Sequence, residues 1–450
     1  MASAYLTKTL GTPTNNKKFT FSCWVKRSGT SGTMDIFHAG ASGSDEAIMC
    51  RFESNGQLTL KHDVGNSQEM LKQTTALYRD PNAWYHVVTV FDTDNSTAED
   101  RQRIYVNGER ITDFASSDNF AGGEDILGNK AVSHTIGKRN FDSANYLDGI
   151  LTHVHFCDGQ AYDSSYFGET DVTTGIWKPK VSPSVTYGNN GFFLKMDNSG
   201  NMGLDSSGNS NNWTTNGTII QNKDTPTNNT ATWDALNTAY TGSTFANANN
   251  TLNTGTSNYS FNISNIGLDS GKWYWETKYV SSTASGGIAA LIGIASVHNT
   301  GSTDWLGQQA TNWGYYKNDG KIRNNGAWSN YGNSYAAGDI IGCALDLENN
   351  KLYFSKNGTW QNSGDPTSGS TGTGAISITD PASTPLGYYF AAAGDYDSGK
   401  SYQFAINFGD GKFGTTSITS AGSNGNGSLF EYDVPSGYYA VNIKNMAGNS

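Results

Sequence analysis

Residues 271–276 are Gly-Lys-Trp-Tyr-Trp-Glu, and residues 338–347 are Gly-Asp-Ile-Ile-Gly-Cys-Ala-Leu-Asp-Leu. A third stretch at 351–358, Lys-Leu-Tyr-Phe-Ser-Lys-Asn-Gly, follows closely. Aromatic and β-branched residues favour strands, and Asn-Gly is a strong hairpin signal because both residues tolerate positive φ. Each stretch therefore predicts a β-strand with a turn at its end.

These three stretches, in this order, resemble the SPRY domain. The closing Pro-Ser-Gly-Tyr-Tyr-Ala-Val at 435–441 resembles the end of the same pattern. The resemblance implies a bent antiparallel β-sandwich that binds partners through its loops and carries no chemistry of its own. We expect this SPRY-like β-sandwich to occupy residues 231–450.

The first half of the chain contains a second series of strand signals. Phe-Thr-Phe-Ser-Cys-Trp-Val-Lys-Arg at 19–27 alternates in type, which predicts a half-buried strand, and Arg-Ile-Tyr-Val-Asn-Gly at 103–108 ends in another hairpin signal. Together with Trp-Tyr-His-Val-Val-Thr-Val-Phe at 84–91, these stretches resemble the laminin-G and concanavalin-A-like lectin group. The resemblance implies a jelly roll over residues 1–196, whose concave face or rim loops bind sugars or proteins.

Between these halves, residues 197–230 are rich in Asn, Gly, Ser and Thr and nearly free of apolar side chains. We interpret them as an inter-domain segment. Apolar repeats of helical period are short throughout the chain, so we expect little helix. The predicted fold class is all-β, with two antiparallel β-sandwich (jelly-roll-type) domains in tandem.

Composition excludes several classes of protein. The chain has 450 residues, 53 glycines, 12% aromatic and 15% charged residues, and a net charge of −11. A nucleic-acid partner is not expected, because such proteins need a basic surface. The first residues lack the apolar core of a signal peptide, and no apolar run approaches the ~18 residues of a membrane span. Four widely spaced cysteines predict buried, reduced thiols, although a disulfide stays open.

Further motifs resemble a narrower class. His-Phe-Cys-Asp-Gly-Gln-Ala at 155–161, Thr-Gly-Ile-Trp-Lys-Pro-Lys at 174–180 and Asp-Ser-Ser-Gly-Asn at 205–209 look like a lectin-like class of tailed phages of aquatic bacteria. Members of that class are taken to be virion proteins. This resemblance implies a virion location, with assembly in the host cytoplasm.

Lectin-like jelly rolls also host glycosidases, which need two carboxylates on one strand. The nearest candidates are Glu169 with Asp171, and Asp346 with Glu348. Both pairs fall in turn-like surroundings where polar residues are expected anyway. We therefore expect no enzymatic activity and name no catalytic residues.

Calcium is the one cofactor that the resemblance brings into question. Laminin-G-like domains often hold Ca²⁺ at the rim through carboxylates and carbonyls, and Asp45, Glu46, Asp92 and Asp94 could contribute. The competing interpretation is that these acidic loops are simply solvated.

Three aromatic residues are the candidates for ligand binding. Trp305, Trp328 and Tyr331 lie in loop-like stretches rich in Asn and Gly, a mixture of rigid contact area and adaptable hydrogen bonding. The alternative for each is a core or interface role.

These observations favour a non-enzymatic phage virion protein, a tail or head fibre or adhesin that presents its loops to host surface glycans or proteins. A structural or decoration protein of the capsid or tail is the alternative, and a polysaccharide depolymerase is a third. The expected partners are other virion proteins, a host glycan or protein and further copies of the chain, since repetition raises affinity.

Overall fold

A computed structural model describes residues 4–29, 32–40, 46–65, 67–172, 175–237, 242–283, 287–299, 301 and 303–449. The chain folds into two compact units, Met1–Gln221 and Asn222–Ser450. The described residues are dominated by strands, with one short α-helix, Ile443–Asn449 (α1). The expectation of an all-β protein with two antiparallel sandwich domains is confirmed.

The first unit contains sixteen of the strands. They are β1 Tyr5–Thr9, β2 Lys18–Arg27, β3 Met34–Gly40, β4 Glu46–Phe52, β5 Gln57–Val64, β6 Ser67–Leu77, β7 Tyr85–Asp92, β8 Gln102–Val106, β9 Glu109–Arg110, β10 Phe114–Asp118, β11 Ser133–Ile136, β12 Gly149–Asp158, β13 Gly168–Thr170, β14 Trp177–Pro179, β15 Phe192–Leu194 and β16 Thr214–Asn216. Short 3₁₀ turns span Ala98–Asp100, Leu127–Asn129 and Ser164–Tyr166.

Two antiparallel sheets enclose the core of this unit. One has the order β10-β6-β5-β4-β3-β11-β1-β16, the other the order β15-β12-β2-β7-β8-β9, and β13 and β14 form a separate hairpin. Phe19, Phe21, Cys23 and Val25 of β2 all face the core, as their alternation predicts. The predicted half-burial is wrong, however, because a second apolar cluster around Phe167 covers the other face of this central sheet.

The described residues of the second unit form seventeen strands. They are β17 Thr244–Ala246, β18 Thr251–Asn253, β19 Ser260–Ile263, β20 Lys272–Ser282, β21 Ala290–Ala295, β22 Asn312–Tyr316, β23 Ile322–Asn324, β24 Ala327–Ser329, β25 Ile340–Asp346, β26 Lys351–Lys356, β27 Thr359–Trp360, β28 Ile376–Ser377, β29 Phe390–Asp395, β30 Tyr402–Asn407, β31 Lys412–Phe413, β32 Thr416–Ser417 and β33 Tyr439–Ala440. Three further 3₁₀ turns span Gln361–Ser363, Pro366–Thr371 and Pro381–Ser383.

Two sheets again enclose an apolar core. The larger runs β17-β18-β30-β20-β25-β26-β27, with β28 beside β26 and β33 beside β20. The smaller runs β19-β29-β21-β22-β23-β24, so β24 is its free edge among the described residues. The three stretches quoted at the start supply β20, β25 and β26, which lie side by side in the larger sheet and bury Trp273 and Trp275 in the core.

The start and the end of the second unit lie together. Thr230 and Asn442 form an antiparallel bridge, and the amide of Ala231 donates to the carbonyl of Val441 at 3.0 Å. Nearby, β33 adds to β20 as a parallel neighbour. Segments near the beginning and near the end of this unit therefore lie side by side.

The predicted inter-domain segment is divided between the two units. Trp213 lies in the core of the first unit, and β16 pairs with β1. From residue 222 onward the chain belongs to the second unit, where the amide of Lys223 donates to the carbonyl of Asp410 at 3.3 Å.

All four cysteines are buried free thiols, in agreement with the sequence prediction. Burial raises the pKa of each, to about 12 for Cys50. A thiol held in its protonated form is a poor nucleophile, so these residues act as small apolar side chains. Among the described residues, no helix has both the length and the apolar character needed to cross a bilayer.

Candidate functional site

The three predicted binding residues occupy different environments in the second unit. Trp328 lies on the edge strand β24 with 47% of its surface exposed, whereas Trp305 is only 9% exposed and belongs to the core. The loop-like composition around Trp305 predicted an exposed position. The ring is buried instead because the 303–309 turn folds back over the smaller sheet, where the ring contacts Tyr396 at 4.8 Å between centroids.

Tyr331 is not part of the same surface. Its ring packs edge-on against Tyr315 and Phe354, at 5.9 and 6.0 Å between centroids. Its hydroxyl accepts a hydrogen bond from the amide of Phe354 at 3.0 Å. This residue therefore closes the space between the two sheets, as the core alternative anticipated.

The structure brings Trp305 and Trp328 together around Arg323, which the sequence did not single out. Arg323 lies on β23 directly opposite Trp328 of β24, and its guanidinium rests against the indole ring. The guanidinium carbon also lies 5.6 Å from the ring centre of Trp305, 4.6 Å from that of Tyr316 and 5.7 Å from that of Tyr396. We call these four rings and Arg323 the arginine box.

A tight turn positions the arginine box. Asn325 and Gly326 connect β23 to β24 with φ values of 51° and 71°, as a two-residue hairpin turn requires. The amide of Gly326 donates to the carbonyl of Gly307 at 3.0 Å, which ties the hairpin to the turn that carries Trp305. Gly307 has φ +102°, and a Cβ there would collide with the Cβ of Arg323.

Arg323 is a buried cation without an anionic partner among the described residues. It is 1% exposed, and its Nε and Nη2 atoms have no hydrogen-bond partner in that part of the chain. Burial lowers the pKa of the guanidinium to about 10, against the opposing effects of Tyr316 and Asp319. The side chain therefore remains charged at neutral pH, and the surrounding rings supply cation–π attraction in place of hydrogen bonds.

The rim of the arginine box is open to solvent. Tyr396 is 40% exposed beside the 47% exposed Trp328. Two aromatic faces thus surround a positive charge whose donors are unsatisfied. This arrangement suits an anionic group: when the half-exposed Trp328 ring moves aside, a carboxylate can accept from two guanidinium N–H groups at once.

The predicted calcium ligands of the first unit lie next to basic side chains. Asp45 falls outside the described residues. Glu46 contacts Lys130 at 3.0 Å and His62 at 3.7 Å. Lys130 at this distance competes with a metal ion for the Glu46 carboxylate.

The other two predicted ligands are paired as well. Asp92 contacts Lys18 at 3.2 Å, and Asp94 contacts Lys17 at 3.5 Å. Within the described ranges, no group of three or more His, Cys, Asp or Glu residues is arranged to hold a metal ion. Calcium stays a prediction from the resemblance, and we assign no site for it.

An open cavity of about 570 Å³ lies at this end of the first unit. It is lined by Lys17, Glu46, His62, Val64, Gly123, Glu124, Asp125 and Lys130. Burial lowers the pKa of His62 to about 4, so its ring is neutral at pH 7. Two lysines and three carboxylates of opposite sign give this cavity no uniform field that would select an anion or a cation.

Sequence patterns did not indicate a hydrogen-bonded set of three side chains in the first unit. The indole N–H of Trp177 donates to Nδ1 of His86 at 2.9 Å, and Nε2 of His86 lies 2.9 Å from Oγ of Ser22. Because an indole can only donate, Nδ1 must be the acceptor, and Nε2 therefore carries the proton. Such a tautomer cannot remove a proton from Ser22, so the trio is not an activated nucleophile.

The two carboxylate pairs considered for catalysis lie beside lysines. Lys178 contacts Asp171 at 2.7 Å and Glu169 at 3.8 Å. Lys272 contacts Asp346 and Glu348 in the same way, at 3.4 and 3.2 Å. Each pair is therefore engaged in salt bridges with a single lysine.

We expect Glu169→Gln and Asp346→Asn to leave any function of the chain intact, and we expect no cleavage of polysaccharide by the wild type. Asp346 is buried and accepts from Asn349, so its replacement should cost about 1–3 kcal/mol of stability, whereas Glu169 should cost less than about 1 kcal/mol. Reducing-end assays on bacterial capsule preparations, beside melting curves, measure both effects. Cleavage by the wild type that either substitution abolishes would identify an enzyme.

Both halves of the chain match known domain families. The model described as Concanavalin A-like lectin/glucanases superfamily matches residues 2–165, and the SPRY domain model matches residues 272–379. The second range contains Trp305, Tyr316, Arg323 and Trp328 of the arginine box, while Tyr396 lies beyond it. These matches agree with the two domain resemblances drawn from the strand motifs.

Curated relatives match over a short region. Ran-binding protein 9 from Danio rerio is 29% identical over 89 residues, which is 20% of this chain and 14% of that protein. Ran-binding protein 10 from Danio rerio is 30% identical over 89 residues, with the same shares. The chain thus spans only 14% of the length of these relatives.

Two solved structures are similar to separate portions of the chain. The SPRY domain of human HERC1 is 19% identical, covers 37% of this chain and 91% of its own, and has a TM-score of 0.28. The SAP-like pentraxin from Limulus polyphemus is 18% identical, covers 36% of this chain and 72% of its own, and has a TM-score of 0.27. From the family matches, the chain carries a concanavalin A-like lectin/glucanase domain followed by a SPRY domain.

Proposed function

We propose that the chain is a non-enzymatic recognition protein of a phage particle, a tail or head fibre or adhesin, and that its SPRY domain binds the host surface through the arginine box. The observation that carries this proposal is Arg323, a buried charge left without an anion beneath exposed Trp328 and Tyr396. A folded protein keeps such an unfavourable group where function uses it. The phage assignment rests on the sequence resemblance alone.

Two features favour a protein over a glycan as the ligand. The matched relatives are named as Ran-binding proteins, so we extend to this chain the proposal of a protein ligand. The arginine box also lies on an unpaired strand edge, which can offer main-chain hydrogen bonds to another polypeptide. Copies of the chain on one particle would raise the apparent affinity.

A decoration or structural role is the second candidate, and one surface favours it. Val172, in the turn of the β13–β14 hairpin, and Val181, just after β14, are almost fully exposed, and Ile176 in the same turn is half exposed. Exposed apolar side chains along one hairpin are suited to a contact with a neighbouring subunit. Replacing Val172 and Val181 by serine should release the chain from particles if this role is correct, and should leave its attachment unchanged if it is not.

Truncation of the two tryptophans separates recognition from packing. Trp328→Ala should reduce binding of the purified chain to host cells about tenfold or more but cost only about 1 kcal/mol of stability, because the ring is half exposed. Trp305→Ala removes a buried ring and should cost about 3–5 kcal/mol. Cell-binding isotherms and chemical denaturation measure the two effects.

Tyr388→Ala is the matched control, since Tyr388 is an aromatic residue of similar exposure in the same domain and contributes no ring to the arginine box. It should leave binding unchanged. Immunogold labelling of phage particles with antibody against the chain tests the virion location. Normal host binding by both Trp328→Ala and Arg323→Gln would refute recognition through the arginine box.

A further inference from the structure

The arginine box lies at a free edge of the smaller sheet of the second unit. The strand order of that sheet ends at β24, and Ala327, Trp328 and Ser329 are all exposed. A free edge presents unpaired N–H and C=O groups that can pair with another strand. The edge is therefore able to accept an added strand beside Trp328.

The hairpin register fixes which main-chain groups are free. Asn324 and Ala327 flank the two-residue turn and form its hydrogen-bonded pair, so the next pair, Arg323 and Trp328, is of the non-bonded type. The main chain of Arg323 then bonds to Gly314 on β22, on its other side. The N–H and C=O of Trp328 consequently point outward from the sheet.

The same register aims Arg323 at this edge. Side chains of a non-bonded pair lie close together on one face, and the guanidinium of Arg323 is accordingly a neighbour of the Trp328 ring. An added strand would lie about 4.8 Å beyond β24. The side chain of its residue opposite Trp328 would occupy the same face, one strand spacing from the guanidinium.

No carboxylate of the described chain neutralises this arginine. Asp319 influences it electrostatically but is held by Lys321 at 3.0 Å, and Asp397, which follows Tyr396 in the sequence, is held by Lys400 at 3.2 Å. The Nε and Nη2 donors of Arg323 remain unpaired. The positive charge at the edge is thus complementary to an acidic side chain from outside.

We propose that the ligand of the arginine box is an extended acidic protein segment that adds to β24 as a seventh strand and places an Asp or Glu carboxylate against Arg323. The two main-chain bonds to Trp328 set the register of the segment, and the carboxylate selects its sequence. This inference rests on the proposed function, because it specifies what the same surface recognises.

Synthetic peptides added to the full chain test the inference. The probe is acetyl-Thr-Val-Glu-Val-Thr-amide, and its counterpart has Gln in place of Glu. We expect the Glu peptide to bind about tenfold more tightly, since bonds to charged groups are stronger than neutral ones. It should also slow amide hydrogen exchange at residues 327–329. In Arg323→Gln the difference between the peptides should disappear.

Backbone methylation of the peptide separates strand addition from simple charge attraction. If the peptide pairs antiparallel to β24 with Glu opposite Trp328, the Glu N–H donates to the protein, whereas the N–H groups of both Val residues point away from it. N-methylation of Glu should therefore abolish binding, and N-methylation of a single Val should not. Equal effects of the two modifications would overturn the strand-addition model.

The possible failures are distinguishable. If free glucuronic acid protects the arginine box while neither peptide binds, the occupant is an acidic glycan, and this inference fails although the proposed function stands. If Arg323→Gln and Trp328→Ala both bind host cells normally, the proposed function fails as well. A melting curve of Arg323→Gln within a few degrees of the wild type shows that loss of binding does not come from unfolding.

Discussion

Replacement of Arg323 by methionine is expected to stabilise the SPRY domain by about 1–3 kcal/mol while it abolishes recognition. The wild-type residue is 1% exposed, has no anionic partner among the described residues and leaves Nε and Nη2 without hydrogen bonds. Methionine has a similar length and packs well against aromatic rings. The stability gained by removing the desolvated charge should be larger than the stability lost with the cation–π attraction to the four rings.

Chemical denaturation of the full chain, followed by hydrogen exchange of segments from each unit, measures the change in stability of the second unit separately from the first. Arg323→Lys is the matched control, because it keeps the charge and should not be more stable than the wild type. Stabilisation by methionine together with loss of host binding would show a trade between stability and function. A loss of more than about 1 kcal/mol in Arg323→Met would instead show that the guanidinium is well satisfied in the free protein.

The two domains are expected to respond to pH in opposite directions between about pH 4.5 and 7. In the second unit, burial raises the pKa values of Glu276, Asp395 and Asp410 to about 7. The folded state therefore holds protons that the unfolded state releases near pH 4, and stability falls as pH rises through this range. The lowered pKa values of Asp339 and Asp397 change the stability of this unit only below about pH 4.

The first unit should behave in the reverse manner. Burial lowers the pKa values of six imidazoles there, to about 3 for His38 and His86 and to about 4 for His62 and His134; the other two are His153 and His155. The unfolded chain binds protons below pH 6.5 that the folded unit cannot, so stability is lost as pH falls. Asp35 and Asp148 oppose this trend, but the imidazoles outnumber them.

Unfolding of each unit in the full chain, resolved by hydrogen exchange from pH 4.5 to 8, measures the two slopes. Differences on the order of several kcal/mol are expected across the range. Asp395→Asn mimics the protonated carboxyl and should flatten the slope of the second unit with little change at pH 5. Slopes of the same sign in both units would contradict the prediction.

Much of the fold was predictable from local patterns. Strand periodicity and Asn-Gly turns located β20, β25 and β26, because these strands carry their own apolar faces and turn residues. The burial of both faces of β2 was not predictable, since it depends on Phe167 and its neighbours more than a hundred residues away. The alternation of residue types shows which side chains of a strand share a face, but not which distant residues cover that face.

Two of the five residues of the arginine box were identified from the sequence. Trp305 and Trp328 stood out because aromatic residues among Asn and Gly need a partner or a packing role. Arg323 gave no such signal, as a single arginine in a polar stretch is usually solvated. The clue was available in the hairpin register, because a turn at Asn325-Gly326 places 323 opposite 328. The contribution of Tyr396 could not be foreseen from so distant a segment.

The side-by-side segments near the beginning and the end of the second unit have a mechanical consequence. A load applied between residues 229 and 443 would act on the hydrogen bond from Ile443 to Asn229 and then on the Thr230–Asn442 bridge, since antiparallel segments pulled apart at one end separate one pair at a time. Separation of this kind needs little force, so the paired segments around residues 230 and 442 should come apart before the sheets unfold. Because these two segments lie side by side, the domain is suited to insertion into a loop of another protein. The segments are about 5 Å apart at the bridge, which matches the gap across a hairpin loop in another protein.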